Sequence, residues 1–213
     1  IYPIRSVRIG KYKYIHNLRP DAYHTNHSDR LRSDGRGAYW DSWDEAAKTD
    51  SKAADIISRY HVRPEFEFFD LDKDPHELNN LAGDKEYHCH LVGMRARHLR
   101  WVRETGDLGL VPEGIITERT RSLGNSYAIM RQGDAKQARL LLLDMAAKAS
   151  SGHKAFADLI AGLSAPDAAV RYWAATGVGN VAAGKSRAVS GTLKIKAREA
   201  AKRGLDDKSA GKV

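Results

Sequence analysis

The stretch Ile4–His16, with the sequence IRSVRIGKYKYIH, contains the alternation of side chains that is typical of paired β-strands. Gly10-Lys11 is a turn pair that separates the two segments Ile4–Ile9 and Tyr12–His16. We therefore predict an antiparallel β-hairpin. The aromatic-rich segment Phe66–Leu71 predicts a third strand.

Helix signals surround these strands. The spacing in Ser42–Glu45 is that of a capping box, which predicts a helix from about Trp43 to Lys48. A second helix is predicted from about Asp50 to Tyr60. In Asp74–Glu77 an aspartate N-cap is followed by proline at the first helical position, so we expect another helix start there.

The longest predicted helix of this half runs from Asp84 to about Thr105, with Gly106 as its C-cap. Its inward face should carry residues at three- and four-residue spacing. These residues are Tyr87, Leu91, Met94, His98 and Trp101.

The second half predicts helices only. A helix capped by Asp134 should run through Ala149, His153–Leu163 should form another, and Ser164 should cap a third that buries Trp173. A fourth helix is predicted over Lys194–Gly204.

A repeat in the second half supports a further prediction. The segments Gly162–Ala165 and Gly204–Asp207 lie 42 residues apart, and each follows a helix rich in Ala and Leu. A period of about 40–47 residues is the signature of HEAT-type arrays.

Charge divides the chain at the same place as the structural patterns. The net charge is +8, yet residues 1–110 hold 18 basic and 18 acidic residues, whereas residues 111–213 hold 17 and 9. We predict an α+β unit with a small antiparallel sheet and flanking helices over residues 1–110, followed by an all-α HEAT-like region over residues 111–213. Because the chain begins without methionine and stops mid-pattern at Val213, we expect a fragment.

Several function classes find no support in the residues. No apolar run approaches the roughly 20 residues of a membrane helix, so no membrane span is expected. The single cysteine, Cys89, stands between His88 and His90, and three adjacent helical positions point in different directions, so we expect no metal site there. We identify no catalytic residue and no metal ligand in this chain.

The first half resembles the C-terminal subdomain of type I, formylglycine-dependent sulfatases. The resemblance rests on Tyr2–Arg8 followed by Gly10–Ile15, and on Arg63–Leu71 running into Asp74–Ala82. The segment Gly35–Trp43 is similar to the heparan N-sulfatase, or sulfamidase, branch. Some relatives of this branch carry a HEAT-like tail, which would account for the second half.

This resemblance implies hydrolysis of a sulfate ester or sulfamate by a parent enzyme that uses Ca²⁺ and formylglycine. Formylglycine arises in a Cys/Ser-x-Pro-x-Arg motif, which is absent here: Cys89 lacks the proline, and Ala168 stands where the arginine would follow Ser164. We therefore expect a non-catalytic fragment whose nucleophile and metal site lie in a missing N-terminal catalytic domain. A periplasmic or extracellular location is also implied.

Three residues are candidates for contacting a sulfated carbohydrate substrate: Arg5, His27 and Arg8. A guanidinium binds a sulfate or carboxylate through two parallel hydrogen bonds. The alternative for Arg5 is a structural ion pair, and the alternative for Arg8 and His27 is ordinary exposure to solvent. A sugar-stacking role for Trp40, Trp43 and Trp101 competes with a role in the core or in an interface.

Two other functions remain open at this stage. The first is a HEAT-type scaffold whose helical tail binds a protein partner. The second is polyanion binding by residues 185–213, which hold nine basic and three acidic residues. Because these basic residues have few aromatic residues among them and form no recognised motif, we do not expect nucleic acid as a partner.

Overall fold

Three antiparallel strands form one sheet near the start of the chain, in a computed structural model that describes residues 3–32, 35, 37–132, 135–183, 195 and 199. The strands are β1 (Ile4–Ile9), β2 (Tyr12–Asn17) and β3 (Phe66–Asp70), with β2 in the centre. Gly10 turns the hairpin with a φ of 56°, a left-handed conformation that favours glycine. The predicted hairpin and third strand are confirmed.

Helices account for most of the remaining described residues. The α-helices are α1 (His27–Arg30), α2 (Tyr39–Ala47), α3 (Ser51–His61), α4 (His88–Thr105), α5 (Glu113–Leu123), α6 (Ala135–Ser151), α7 (Phe156–Gly162) and α8 (Ala168–Ala182). Short 3-10 helices lie at Lys85–Tyr87, Leu108–Leu110, Ser126–Met130 and Gly152–Ala155. In the described part of the chain, no helix combines the length and the apolar character needed to cross a bilayer.

The predicted start of α2 was wrong. The helix begins at Tyr39, so Ser42 lies inside its first turns, and the Ser42 hydroxyl donates to the carbonyl of Tyr39 at 2.7 Å instead of capping. Trp40 is buried, and its backbone N–H donates to the carbonyl of Gly37. Burial of this large ring stabilises the earlier start.

The predicted helix start at Asp74–Glu77 was also wrong, because this segment forms a turn. Asp74 accepts from the N–H of Asn79 at 2.7 Å, and Glu77 adopts a left-handed φ of 57°. Lys13 on β2 holds Glu77 through both carboxylate oxygens, at 2.6 and 2.8 Å. Because Asp74 binds the N–H of Asn79 and Glu77 binds Lys13, neither side chain caps a helix here.

The residues after this turn, Asn80 and Leu81, cover the edge of the sheet at β3. The side chain of Asn80 accepts from the N–H of Phe68 at 3.0 Å and donates to the carbonyl of Phe66 at 3.1 Å. The N–H of Leu81 also bonds to the Phe68 carbonyl. These bonds occupy backbone groups that an edge strand would otherwise expose.

Helix α4 packs on the sheet through the predicted face. Tyr14, Phe68, Tyr87 and Met94 form one buried cluster. His98 is buried as predicted, but Trp101 is half-exposed and the next residue, Val102, is buried in its place. Gly106 ends the helix with a φ of 63°, so the predicted C-cap is confirmed.

The second half forms a helical core around α6, α7 and α8. Asp167 caps α8 by accepting from the N–H groups of Ala169 and Val170, so the predicted cap at Ser164 was wrong. Trp173 is buried as predicted, and its indole N–H donates to the carbonyl of Leu110 at 2.7 Å. Leu18 and Val102 from the first half also pack in this core.

The α+β class is consistent with this structure, whereas the HEAT array and the domain boundary near residue 110 stay predictions. The predicted cap at Asp134, the second repeat segment Gly204–Asp207 and most of the predicted helix Lys194–Gly204 lie outside the described residues. The predicted helix His153–Leu163 is divided into a 3-10 turn and α7.

Two glycines on α8 provide a test of this packing. A Cβ on Gly177 would lie 2.5 Å from Cδ2 of Leu159 and 2.9 Å from Cα of Ala149. We expect Gly177→Ala to lower the free energy of unfolding by about 1–3 kcal/mol, because the added methyl group overpacks the core. Urea denaturation measures this change.

Gly179→Ala is the matched control, since its Cβ would meet nothing within 4 Å on the same helix. This variant should be neutral or more stable by up to about 1 kcal/mol. Equal effects of the two substitutions would contradict the close approach of α7 and α8.

Candidate functional site

Arg5 on β1 forms an ion pair with Asp107, which follows α4. Nε of Arg5 lies 2.5 Å from Oδ2 of Asp107, and Nη2 lies 2.7 Å from Oδ1. The remaining nitrogen, Nη1, donates to the carbonyl of Ile4 at 2.9 Å. The structure therefore contains the ion pair that the sequence left open as the alternative, and a substrate contact by Arg5 stays a prediction.

The backbone after α4 is shaped to hold this pair. A side chain at Gly109 would collide with the Arg5 guanidinium, so it would displace that group from its position on Asp107. The N–H of Gly109 also donates to Oδ1 of Asp107 at 2.9 Å. Burial acts to raise the pKa of Asp107, but the bonds from Arg5 and Gly109 outweigh it and the pKa is lowered.

Arg8 and His27 are placed differently from Arg5. Arg8 is exposed, and its Nε donates to the carbonyl of Gly10 at 3.2 Å. Since side chains alternate along a strand, Arg5 and Arg8 emerge on opposite faces of the sheet. His27 is the exposed first residue of α1. The structure thus does not gather the three candidates on one sheet face.

A pair of buried histidines lies beside the Arg5–Asp107 pair. Nδ1 of His16 on β2 and Nε2 of His98 on α4 are 3.4 Å apart, and both residues are almost fully buried. Burial, followed by the charges of His98 and Arg95, lowers the pKa of His16 to about 4. Burial and the charge of Arg5 lower the pKa of His98 to about 4 as well. Both rings are therefore neutral at neutral pH.

An aromatic cluster surrounds His61, the last residue of α3. The rings of Trp40 and Tyr60 lie 5.8 and 4.8 Å from the His61 ring, and the Tyr23 ring stacks on it at 4.2 Å. Trp40 is buried, as a core role predicts, whereas the neighbouring Trp43 is 47% exposed. The contact of Tyr23 with His61 is not predictable from local sequence patterns, because 38 positions separate the two residues.

The described residues contain no group of three His, Cys, Asp or Glu side chains that could hold a metal ion. Cys89 is a free, exposed thiol on α4. The carboxylates of Asp107 and Glu77 are instead bound to Arg5 and Lys13. The described residues therefore do not fit the Ca²⁺ site that the sulfatase resemblance implies for the parent enzyme.

More than half of the chain is similar to sulfatases. It is 31% identical over 129 residues to an ulvan-active sulfatase of Formosa agariphila. The matched region covers 59% of this chain and 21% of that protein. It is 26% identical over 127 residues to the N-sulphoglucosamine sulphohydrolase of Homo sapiens, which covers 55% of this chain and 23% of that protein. No protein-family model matches the chain.

These matches support a sulfatase-like relationship, as the sequence motifs predicted. The chain spans between a fifth and a quarter of the length of the curated relatives that it matches.

The ion pair of Arg5 with Asp107 is tested by substitution on one strand. Arg5→Lys removes the two-pronged hydrogen bonding, so we expect the free energy of unfolding to fall by about 1–3 kcal/mol. Arg8→Lys is the control, and because Arg8 is exposed its change should stay within about 0.5 kcal/mol. If urea denaturation shows the same loss of unfolding free energy for Arg5→Lys and Arg8→Lys, the ion pair contributes little to stability.

The histidine pair predicts acid sensitivity of the fold. An unfolded histidine has a pKa of 6.5, whereas the pKa values of folded His16 and His98 are about 4. Between these two pKa values the unfolded state binds more protons than the folded state. The contribution of the two neutral histidines to the free energy of unfolding is therefore complete above pH 6.5 and is lost as the pH falls towards 4. Each histidine contributes a slope of up to about 1.4 kcal/mol per pH unit.

Urea denaturation across this pH range measures the slope. His98→Gln should make it shallower, since one titrating group is removed while a polar partner for His16 is kept. His88→Gln, an exposed position on the same helix, should preserve the original slope. A slope unchanged by His98→Gln would contradict the buried neutral pair.

Proposed function

We propose that this chain is the C-terminal, non-catalytic part of a sulfatase-like hydrolase that acts on sulfated sugars. The observation that carries the proposal is the similarity to two sulfatases over more than half of the chain. The absence of a Cys/Ser-x-Pro-x-Arg motif from the chain supports a non-catalytic role.

In this proposal a separate N-terminal catalytic domain supplies the chemistry. A hydrated formylglycine there would attack the sulfur, and Ca²⁺ would neutralise the sulfate oxygens. The bond cleaved is a sulfate ester or a sulfamate. This chain would support that domain and complete its substrate pocket.

The substrate candidates divide into two kinds in this role. Arg8 and His27 are exposed, so each is accessible to an anionic sugar. Arg5 is held by Asp107, so it would position β1 against the end of α4 and present only the part of its guanidinium that remains exposed. A cation that is already oriented loses little conformational entropy when it binds a sulfate.

A second candidate function is a HEAT-type scaffold that binds a protein partner through the helical half. Leu141 on α6 is 52% exposed, and the neighbouring Leu140 is 37% exposed. A protein partner would cover exposed leucines such as these, although they point in different directions from the helix. This function is compatible with the first.

Sulfate release tests the main proposal. We expect the 213-residue chain alone to release no sulfate from sulfated oligosaccharides, and the protein that joins it to its upstream coding sequence to release sulfate. Deletion of this chain should lower the rate by about 100-fold, because the substrate pocket is left incomplete.

Replacing the upstream Cys or Ser nucleophile by Ala is the control and should abolish sulfate release while leaving this chain folded. An upstream sequence without a Cys/Ser-x-Pro-x-Arg motif would refute the proposal. So would full activity after deletion of this chain.

A further inference from the structure

Tyr23, in the loop between β2 and α1, presents an aromatic face to solvent although its ring is held in place. Its ring lies 4.2 Å from the His61 ring with an angle of 11° between the planes. One face of Tyr23 is therefore covered, while 60% of the residue remains exposed. The outer face is accessible to a ligand.

The histidine beneath Tyr23 is fixed by several contacts. Nδ1 of His61 donates to the carbonyl of His24 at 2.7 Å, and the N–H of His24 donates to the carbonyl of His61 at 2.8 Å. The rings of Trp40 and Tyr60 pack on its other sides. Tyr23 thus rests on a rigid base, which lowers the entropy lost when a ligand stacks on it.

The exposed charges on the segment that flanks Tyr23 in the sequence favour an anionic ligand. Asp29 is buried and accepts from the N–H of Asn26, while Asp21 is bound to Arg19. Arg30 is exposed on α1, and so is His27. Asp21 and Asp29 are therefore paired or covered, whereas His27 and Arg30 face the solvent.

We propose that the outer face of Tyr23 is a platform on which a sugar ring of a sulfated saccharide stacks, with the exposed Arg30 and His27 of the following helix α1 as partners for sulfate or carboxylate. This site rests on the proposed function and places part of the substrate on a residue outside the sequence-predicted candidates. The apolar C–H face of a pyranose packs on an aromatic ring, and the charged rim binds the anionic substituents.

A saccharide fits this surface better than a protein partner does. The platform is one flat ring with a charged rim, whereas the centre of a protein interface is depleted of charge and buries a larger apolar area. A stacked sugar needs only one ring face.

Titration calorimetry of the 213-residue chain with ulvan oligosaccharides and with N-sulphoglucosamine oligosaccharides tests the platform. We expect Tyr23→Ala to weaken binding of at least one of them by roughly fivefold to tenfold, because the stacking contact is lost. Tyr23→Phe retains the ring and should stay within about twofold of the original affinity.

Tyr127→Ala is the matched control. Tyr127 is 68% exposed and has the Arg131 guanidinium 3.8 Å from its ring centre, so it is an exposed aromatic beside a cation at another position. Its loss should change the affinity by less than about twofold. Thermal unfolding of each variant verifies that the fold is retained, and Tyr23→Phe keeps the test informative if Tyr23→Ala is unstable.

Three outcomes would overturn the platform: no binding by the original chain, equal affinities of Tyr23→Ala and Tyr127→Ala, or a Tyr23→Phe variant as weak as Tyr23→Ala. The proposed function is judged separately by sulfate release. Sulfate release combined with unchanged binding by Tyr23→Ala would refute the platform alone. A Tyr23-dependent affinity without sulfate release would refute the proposed function alone.

Discussion

The ion pair between Arg5 and Asp107 ties the first strand to the segment that leads into the helical half of the structure. It fixes β1 to the backbone that follows α4, and the 3-10 helix Leu108–Leu110 begins at the same aspartate. The carbonyl of Leu110 then accepts from the indole of Trp173 in the helical core. The short segment from Asp107 to Leu110 therefore bonds to the first strand at one end and to α8 at the other. Burial of the sheet against α4 supplies the apolar contribution, while these directional bonds define the position of the sheet relative to the helices.

Elements with strong local patterns were predictable from the sequence. Alternation along Ile4–His16 indicated the hairpin, and the spacing from Tyr87 to His98 indicated the buried face of α4. The errors arose where a distant residue competes with a local signal. Asp74–Glu77 has every feature of a helix start, yet Lys13 binds Glu77 across 64 positions and stabilises a turn. A contact between residues so far apart produces no periodic pattern in the sequence, so neighbouring residues do not predict it.

The site was less predictable than the fold. The motifs around Arg5 indicated a sulfatase-like chain, and the similarity to two sulfatases supports that relationship. These motifs did not predict that Asp107 binds the guanidinium of Arg5, because the two residues are 102 positions apart. The pairing of His16 with His98 and the stacking of Tyr23 on His61 were missed for the same reason. Each residue type is unremarkable by itself, and only its neighbour in space changes its pKa or its exposure.

The separation of Arg5 from Asp107 also has a consequence during synthesis. The hairpin leaves the ribosome 102 residues before the carboxylate that neutralises its arginine. At roughly 5–20 residues per second, the strand waits for roughly 5–20 seconds without that partner. Throughout this interval the Arg5 side chain lacks the carboxylate that binds it in the folded structure. Chaperone contact with the emerging hairpin should therefore matter most before Asp107 has left the ribosome.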